Sequence, residues 1–274
     1  MASAPQPQLP LFYKDLMPLN SRDHKDWKTK PLDSAKWLTD QHAIPVTVDE
    51  FVQAQRDFPI VFSAGENPLP LALMGLNEGV NTFVNADGKV EEPVYLPAYI
   101  RRYPFMLAKL TKDTEDLSLC FDPTAGSVGE FSEGEVLFDE EGKASPATQN
   151  ILQFCEQFEG AGQRTKNFID LLKKHELLMD GEIAISQQDN PDKPFIYRGF
   201  QMINQDKLQE VRGDILREWN KTGMLALIYC HIMSLELMRT IFSRQVQQGT
   251  APQPNANVPN ADVPNTNVPD ASAS

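Results

Sequence analysis

YLPAYIRRYPF, residues 95–105, sets four aromatic residues, two prolines and the adjacent pair Arg101–Arg102 in eleven positions. Pro97 suits the first position of a helical turn, where its missing amide hydrogen costs nothing. Pro104 disfavours helix at Tyr103. A turn of helix over Pro97–Tyr103 is therefore predicted, between two strand-rich stretches. Two uses of the segment follow from its composition. In one, the tyrosines are core and the arginines are surface. In the other, the arginine forks grip an anion or carboxylate in bidentate fashion, and Tyr95, Tyr99, Arg101, Arg102 and Tyr103 form an interaction surface.

Working outward, Phe105–Leu110 and Leu117–Phe121 read as paired strands about a turn at Thr111–Asp116. An acidic loop follows: Asp113 to Glu141 holds ten carboxylates and no Lys or Arg, with Gly126, Gly129 and Gly134 along it. It closes through a strand at Val136–Phe138 and a turn at Asp139–Gly142. On the other side, NADG (85–88) is a hairpin turn, since Asp-Gly tolerates positive φ. Strands are predicted at Ile44–Val48, Ile60–Phe62, Pro70–Leu76 and Thr82–Val84. Thr47 or Asp49 caps a short helix over Val52–Arg56, which Pro59 ends.

The second half has a helical period. Ser145–Pro146 starts a helix as N-cap and first residue, and Ile151, Cys155, Phe158, Thr165, Ile169 and Leu172 continue it. Gly160-Ala161-Gly162 within it marks a kink or a close backbone approach. Glu182–Ser186 and Phe195–Ile203 read as strands around NPDKP, then Lys207–Val211 and Asp214–Lys221 as helices. A final helix, Met224–Phe242, is apolar nearly all round at its start and is expected to be buried.

The ends differ from this body. Residues 1–41 read as an N-terminal extension, partly ordered, with LFYKDLMPL (11–19) as a short edge strand and Trp27 and Trp37 as anchors. Residues 244–274 read as a disordered tail: NANVP, NADVP and NTNVP repeat with period five, and a proline every five residues interrupts helix and sheet ladders.

The chain of 274 residues carries net charge −13, of which Asp262 and Asp270 in the tail account for −2 and the body for −11. Such a surface repels phosphate, so neither nucleic acid nor an anionic membrane is an expected partner. Cys120, Cys155 and Cys230 are far apart and lack CxxC spacing, which argues against disulfides and zinc and for buried thiols in a reducing compartment. The N-terminus lacks a basic n-region and an apolar core, and Met224–Leu235 is too short and too polar to span a bilayer. A cytoplasmic protein is expected.

Candidate chemistry is sparse. His231 and Ser234 share a face of the last helix near Glu236, without a GxSxG elbow. His24, His42 and His175 are isolated. Asp139-Glu140-Glu141-Gly142 lacks the ligand alternation of a calcium loop. Gly142–Lys143 lacks the upstream glycine of a phosphate-binding loop, and no GxGxxG follows a strand. No cofactor, metal or catalytic residue is assigned. In so acidic a chain the nearest carboxylates to Arg101 and Arg102 are its own, and a salt bridge to the acidic loop is expected.

Several separated pieces together resemble one family. They are PIVFS (59–63), LALMGL (71–76), YLPAYIRRYPF (95–105), LCFD (119–122), LFDEEG (137–142), FEGAGQRTKNFIDLLKKHELL (158–178), GFQMINQDKL (199–208) and GMLALIYCHIMSL (223–235). In this order they are similar to the bacterial SapC family, over about residues 42–240. The resemblance implies a name associated with surface-layer proteins, relatives called peptidases or transporters, and no catalytic residues to carry over. The combined expectation is an α+β protein: a strand-rich N-terminal half packed with a helix-rich C-terminal half in one SapC-like domain, 42–243. A non-enzymatic accessory or interaction protein with a protein or peptide partner fits best. The alternative is a hydrolase whose site is assembled from scattered residues.

Overall fold

A computed structural model describes residues 9–91, 93–110, 116–187 and 190–251. In chain order the strands are β1 (Met17–Pro18), β2 (Lys28–Thr29), β3 (Ala43–Pro45), β4 (Ile60–Ser63), β5 (Pro70–Leu73), β6 (Phe105–Lys109), β7 (Leu117–Phe121), β8 (Val128–Gly129), β9 (Glu135–Val136), β10 (Leu178–Asp180), β11 (Ile183–Gln187), β12 (Asn190–Tyr197) and β13 (Phe200–Ile203). The helices are α1 (Phe51–Ala54), α2 (Ala98–Arg102), α3 (Pro146–Lys174), α4 (Gln205–Glu210), α5 (Gly213–Thr222), α6 (Met224–Ser234) and α7 (Leu237–Gln247). The fold is α+β. Its contacts divide the described residues into two compact units: 9–33 with Arg101–Glu159, and Ser34–Ile100 with 160–251.

The first unit is built on the antiparallel sheet β1-β7-β6, in which Phe105 pairs with Phe121, Met106 with Cys120 and Leu107 with Leu119. Side chains alternate across a strand, so Phe105, Leu107 and Phe121 share one face and Met106, Ala108 and Cys120 the other. Both faces are buried. The first is covered by Leu137, Val128 and, from α3, Ile151, Leu152 and Cys155. The second is covered by Tyr13, with Leu9, Phe12 and Leu16 around it. Because β6 is apolar at successive positions, one face would stay wet without these N-terminal residues. The N-terminal segment therefore supplies a core layer and the edge strand β1. It also supplies β2, which sits between β8 and β9 and threads the acidic loop into a small sheet. Trp27 packs against His24 and Phe121.

The second unit holds the five-stranded antiparallel sheet β10-β13-β4-β5-β3. All eight residues of β4 and β5 are buried. On one face Phe62 meets Phe168 of α3 and His231 of α6. The predicted strand 195–203 is broken at Arg198–Gly199, where Gly199 has φ +89°. This break lets β12 pair with β11 while β13 joins the large sheet. Helix α3 is continuous through Gly160-Ala161-Gly162, and a Cβ on Gly162 would meet nothing within 4 Å, so no close approach demands that glycine.

Two expectations for the last helix are corrected. It is α6 and α7, parted at Leu235–Glu236, and it runs to Gln247, past the expected tail boundary at 244. Gln245 is fully buried, accepting from Leu76 N and donating to Asn77 Oδ1 and Thr250 O, and these tertiary bonds hold the last turn in place. Nor is the helix buried all round: Tyr229 and Met233 lie on an exposed face, 45% and 65% accessible. Met224–Gln247 is long and apolar enough, by length and composition, to cross a membrane, with 39% of its most apolar window buried inside the protein. The repeat at 255–269 lies outside the described residues.

Candidate functional site

The segment quoted at the outset is anchored at its first half by a carboxylate the sequence reading did not single out. Thr47-Val48-Asp49-Glu50 is a capping box. Glu50 Oε2 accepts from Thr47 N and Thr47 Oγ1, both at 2.9 Å. Glu50 Oε1 accepts from Tyr95 Oη at 3.0 Å and from Ala98 N at 2.6 Å. One buried carboxylate thus caps its own helix start and one of the orphan N–H groups that open α2. Asp57 Oδ2 takes the amide of Tyr95 at 2.8 Å. Tyr99 is 2% exposed and belongs to the core.

The second half belongs to the other unit. Arg101 is exposed and lies over the Phe154 ring, 5.2 Å from its centroid. Arg102 is buried, 4.3 Å from the Phe158 centroid and 5.9 Å from that of Tyr13. Its Nη1 is 3.7 Å from Glu159 Oε1. Burial raises the Glu159 pKa, and Arg102 opposes the rise. Among the described residues Arg102 is paired with a glutamate on α3, which packs on the sheet face beside the end of α2. Tyr103 Oη donates to Asp122 Oδ2 at 3.4 Å, and burial with the Asp122 charge pushes its phenol up to about 12. Asp122, fully buried, also accepts from Lys14 N, Thr124 N and Thr124 Oγ1.

Of the five residues named for an interaction surface, Arg101 is exposed, Tyr95 and Tyr103 are half-buried, and Tyr99 and Arg102 are buried. A side chain engaged with its own core is poorly placed to meet a partner, so Arg101 is the member best presented.

His231 and Ser234 are wholly engaged in structure. His231 Nδ1 donates to Ile60 O at 2.7 Å, and Nε2 accepts from Ile203 N at 3.1 Å, which fixes a neutral imidazole. The register of β13 on β4 pairs Phe200 with Ser63 and Gln201 with Phe62, so its continuation would pair Ile203 with Ile60. The ring stands in for that missing rung of the ladder. Burial lowers its pKa to about 4. Ser234 Oγ accepts from Ile60 N and donates to His231 O. Neither side chain is offered to a substrate. The three cysteines are free and buried, and desolvation pushes Cys120 and Cys155 up to about 11, which suppresses the nucleophilic thiolate. Among the described residues no group of three or more His, Cys, Asp or Glu side chains is arranged to hold a metal ion.

The capping box was readable in sequence as T-x-x-E. The reach of Glu50 to Tyr95, forty-five residues on, was not. Compared with known proteins, the SapC family model matches residues 19–241. No curated protein and no solved structure matches the chain.

Proposed function

The chain belongs to the SapC family, and from that membership we propose that it is a non-enzymatic accessory protein that binds a protein or peptide partner through the surface carrying Arg101. The presentation of Arg101 carries the proposal. Its guanidinium is exposed yet seated on the Phe154 ring, so binding would order little that is not already ordered. Arginine at such a position offers a planar fork to a partner's carboxylate or carbonyl groups. The hydrolase reading draws no support from His231 and Ser234, whose polar atoms are taken up by strand backbone. Three free buried thiols accord with a reducing compartment, and we place the protein in the bacterial cytoplasm.

Affinity capture with the full chain tests this. Arg101→Ala is expected to lose partners that wild type retains, with an unchanged melting temperature. A paired Tyr229→Ser/Met233→Ser variant, altering the exposed face of α6, is expected to keep them. Capture unaffected by Arg101→Ala would sink the proposed surface, and loss confined to the α6 variant would move it to that helix.

A further inference from the structure

A strand that ends a sheet presents a row of unpaired backbone N–H and C=O groups, and proteins blunt such edges by shortness, proline, charge or cover. Among the described residues, most edges of this fold are blunted. β1, β8 and β9 have two residues each and β3 and β10 three, with Pro18 in β1 and Pro45 in β3. β6 has its first four residues buried and ends in Lys109. β12 carries Pro191 and Pro194, which have no N–H to offer. β11 is the exception. It has five residues, Ile183–Gln187, with neither proline nor charge, and β12 is its one strand neighbour among the described residues. Among those residues, no hydrogen bond from outside the hairpin reaches the backbone of Ile183–Ser186.

The two faces of the hairpin differ. Ile183 and Ile185 pair with Tyr197 and Phe195, and these two rings meet Phe242 of α7 at 6.5 and 4.9 Å between centroids. Ala184 pairs with Ile196 on the opposite face, and both are exposed. Glu182, just before the strand, is held by Arg198 at 2.6 Å. The net charge of −13 makes two copies of this chain repel. An uncharged strand is where that repulsion is least, and β11 carries no charge of its own.

We propose that β11 is a self-association edge, pairing antiparallel with β11 of a second copy about a two-fold axis at Ala184. In that register Ile183 faces Ile185 of the other copy, Ala184 faces its own counterpart and Glu182 faces Ser186, so apolar meets apolar and no like charges stand opposite. The strand is its own complement there, which selects a second copy as the occupant. A slip of one residue would set Ile185 against Ala184 and turn one copy's apolar face outward. The product is a four-stranded sheet, β12-β11-β11-β12, in place of a two-stranded ribbon of marginal stability. On its outer face Ala184 and Ile196 of both copies lie in one row, and Ile196 is 39% exposed in the single chain. The edge belongs to the second unit and Arg101 to the first, so this proposal and the partner surface stand or fall separately.

So small a contact belongs with weak, concentration-dependent dimers. Sedimentation velocity of the full chain, from low micromolar to about 1 mM, is expected to show a mass rising from 30.8 kDa toward twice that. Ala184→Lys and Ala184→Glu each set two like charges face to face across the axis, about 5 Å apart. Each is expected to hold the monomer mass with an unchanged melting temperature, since the side chain is exposed in the single chain. An equimolar mixture of the two variants is expected to pair again, lysine against glutamate. A wild type that keeps the monomer mass throughout overturns the proposal and leaves the edge to an extended segment of another protein. Variants that each pair as wild type does, or a mixture that stays monomeric, also overturn it. Loss of pairing in Tyr229→Ser/Met233→Ser alone would overturn it in favour of the exposed face of α6.

Discussion

Acid should unlock the sheet at His231. The neutral ring donates to Ile60 O and accepts from Ile203 N, so protonation at Nε2 sets two donors against each other in a dry site. Its pKa is lowered from 6.5 to about 4. The native state therefore binds fewer protons than the unfolded chain, and stability falls with falling pH. The contribution is fully present above the unfolded value near 6.5 and is lost as pH drops through the folded value near 4. At about 1.4 kcal/mol per unit, the total is about 3 kcal/mol, with about 2 kcal/mol of it gone by pH 5. His231→Leu removes the acid-sensitive group and strands a buried C=O and a buried N–H, at about 1–3 kcal/mol each. The variant should thus be about 4 kcal/mol less stable at pH 7, yet flatter between pH 7 and 4. Urea unfolding of both proteins across that range measures the difference, in which groups common to both, such as His42 and Glu159, cancel. Imidazole resonances followed by pH titration give the pKa directly. A His231 ring that titrates near 6.5 in the folded protein, or parallel stability curves for the two proteins, would refute the reasoning.

Three further outcomes are expected. Glu50→Ala removes the acceptor that serves Tyr95 Oη and the amides of Thr47 and Ala98, and should cost about 3–5 kcal/mol in chemical denaturation, with Glu50→Gln recovering part through its remaining acceptor. Gly75→Ala would set a Cβ 1.8 Å from Val80 O, a backbone atom with nowhere to go. A loss of about 3 kcal/mol or more in thermal unfolding follows, and a neutral effect would disprove that approach. Cys120, Cys155 and Cys230 should resist a thiol reagent in the folded protein at neutral pH and react together on unfolding; fast reaction of any one of them in the native state would contradict its burial.

The local elements were readable because their causes are local. The β6–β7 hairpin, the Ser145–Pro146 helix start and the two short helices after β13 each follow from residues a few positions apart. Side-chain roles were less readable. The arginine pair looked symmetric in sequence, but a helical turn sends adjacent residues in different directions, so Arg101 reaches the surface and Arg102 the core. The apolar start of α6 implied burial all round. What covers a helix depends on its neighbours, and Tyr229 and Met233 are left uncovered. The anchoring role of Glu50 is not legible in sequence, because T-x-x-E accounts for it as half of a capping box and its second use lies on a distant segment.

By itself, then, the order of residues determined the α+β class, most element positions, the thiol state of the cysteines and the family, since period, turn chemistry and motif order are properties of neighbours along the chain. Only the tertiary structure decided that the N-terminal segment is core and that His231 replaces a rung between strands 171 and 28 residues away. Those outcomes rest on which buried polar group finds which partner, and a buried donor is satisfied by whatever the fold brings within about 3 Å, however far off it lies in sequence.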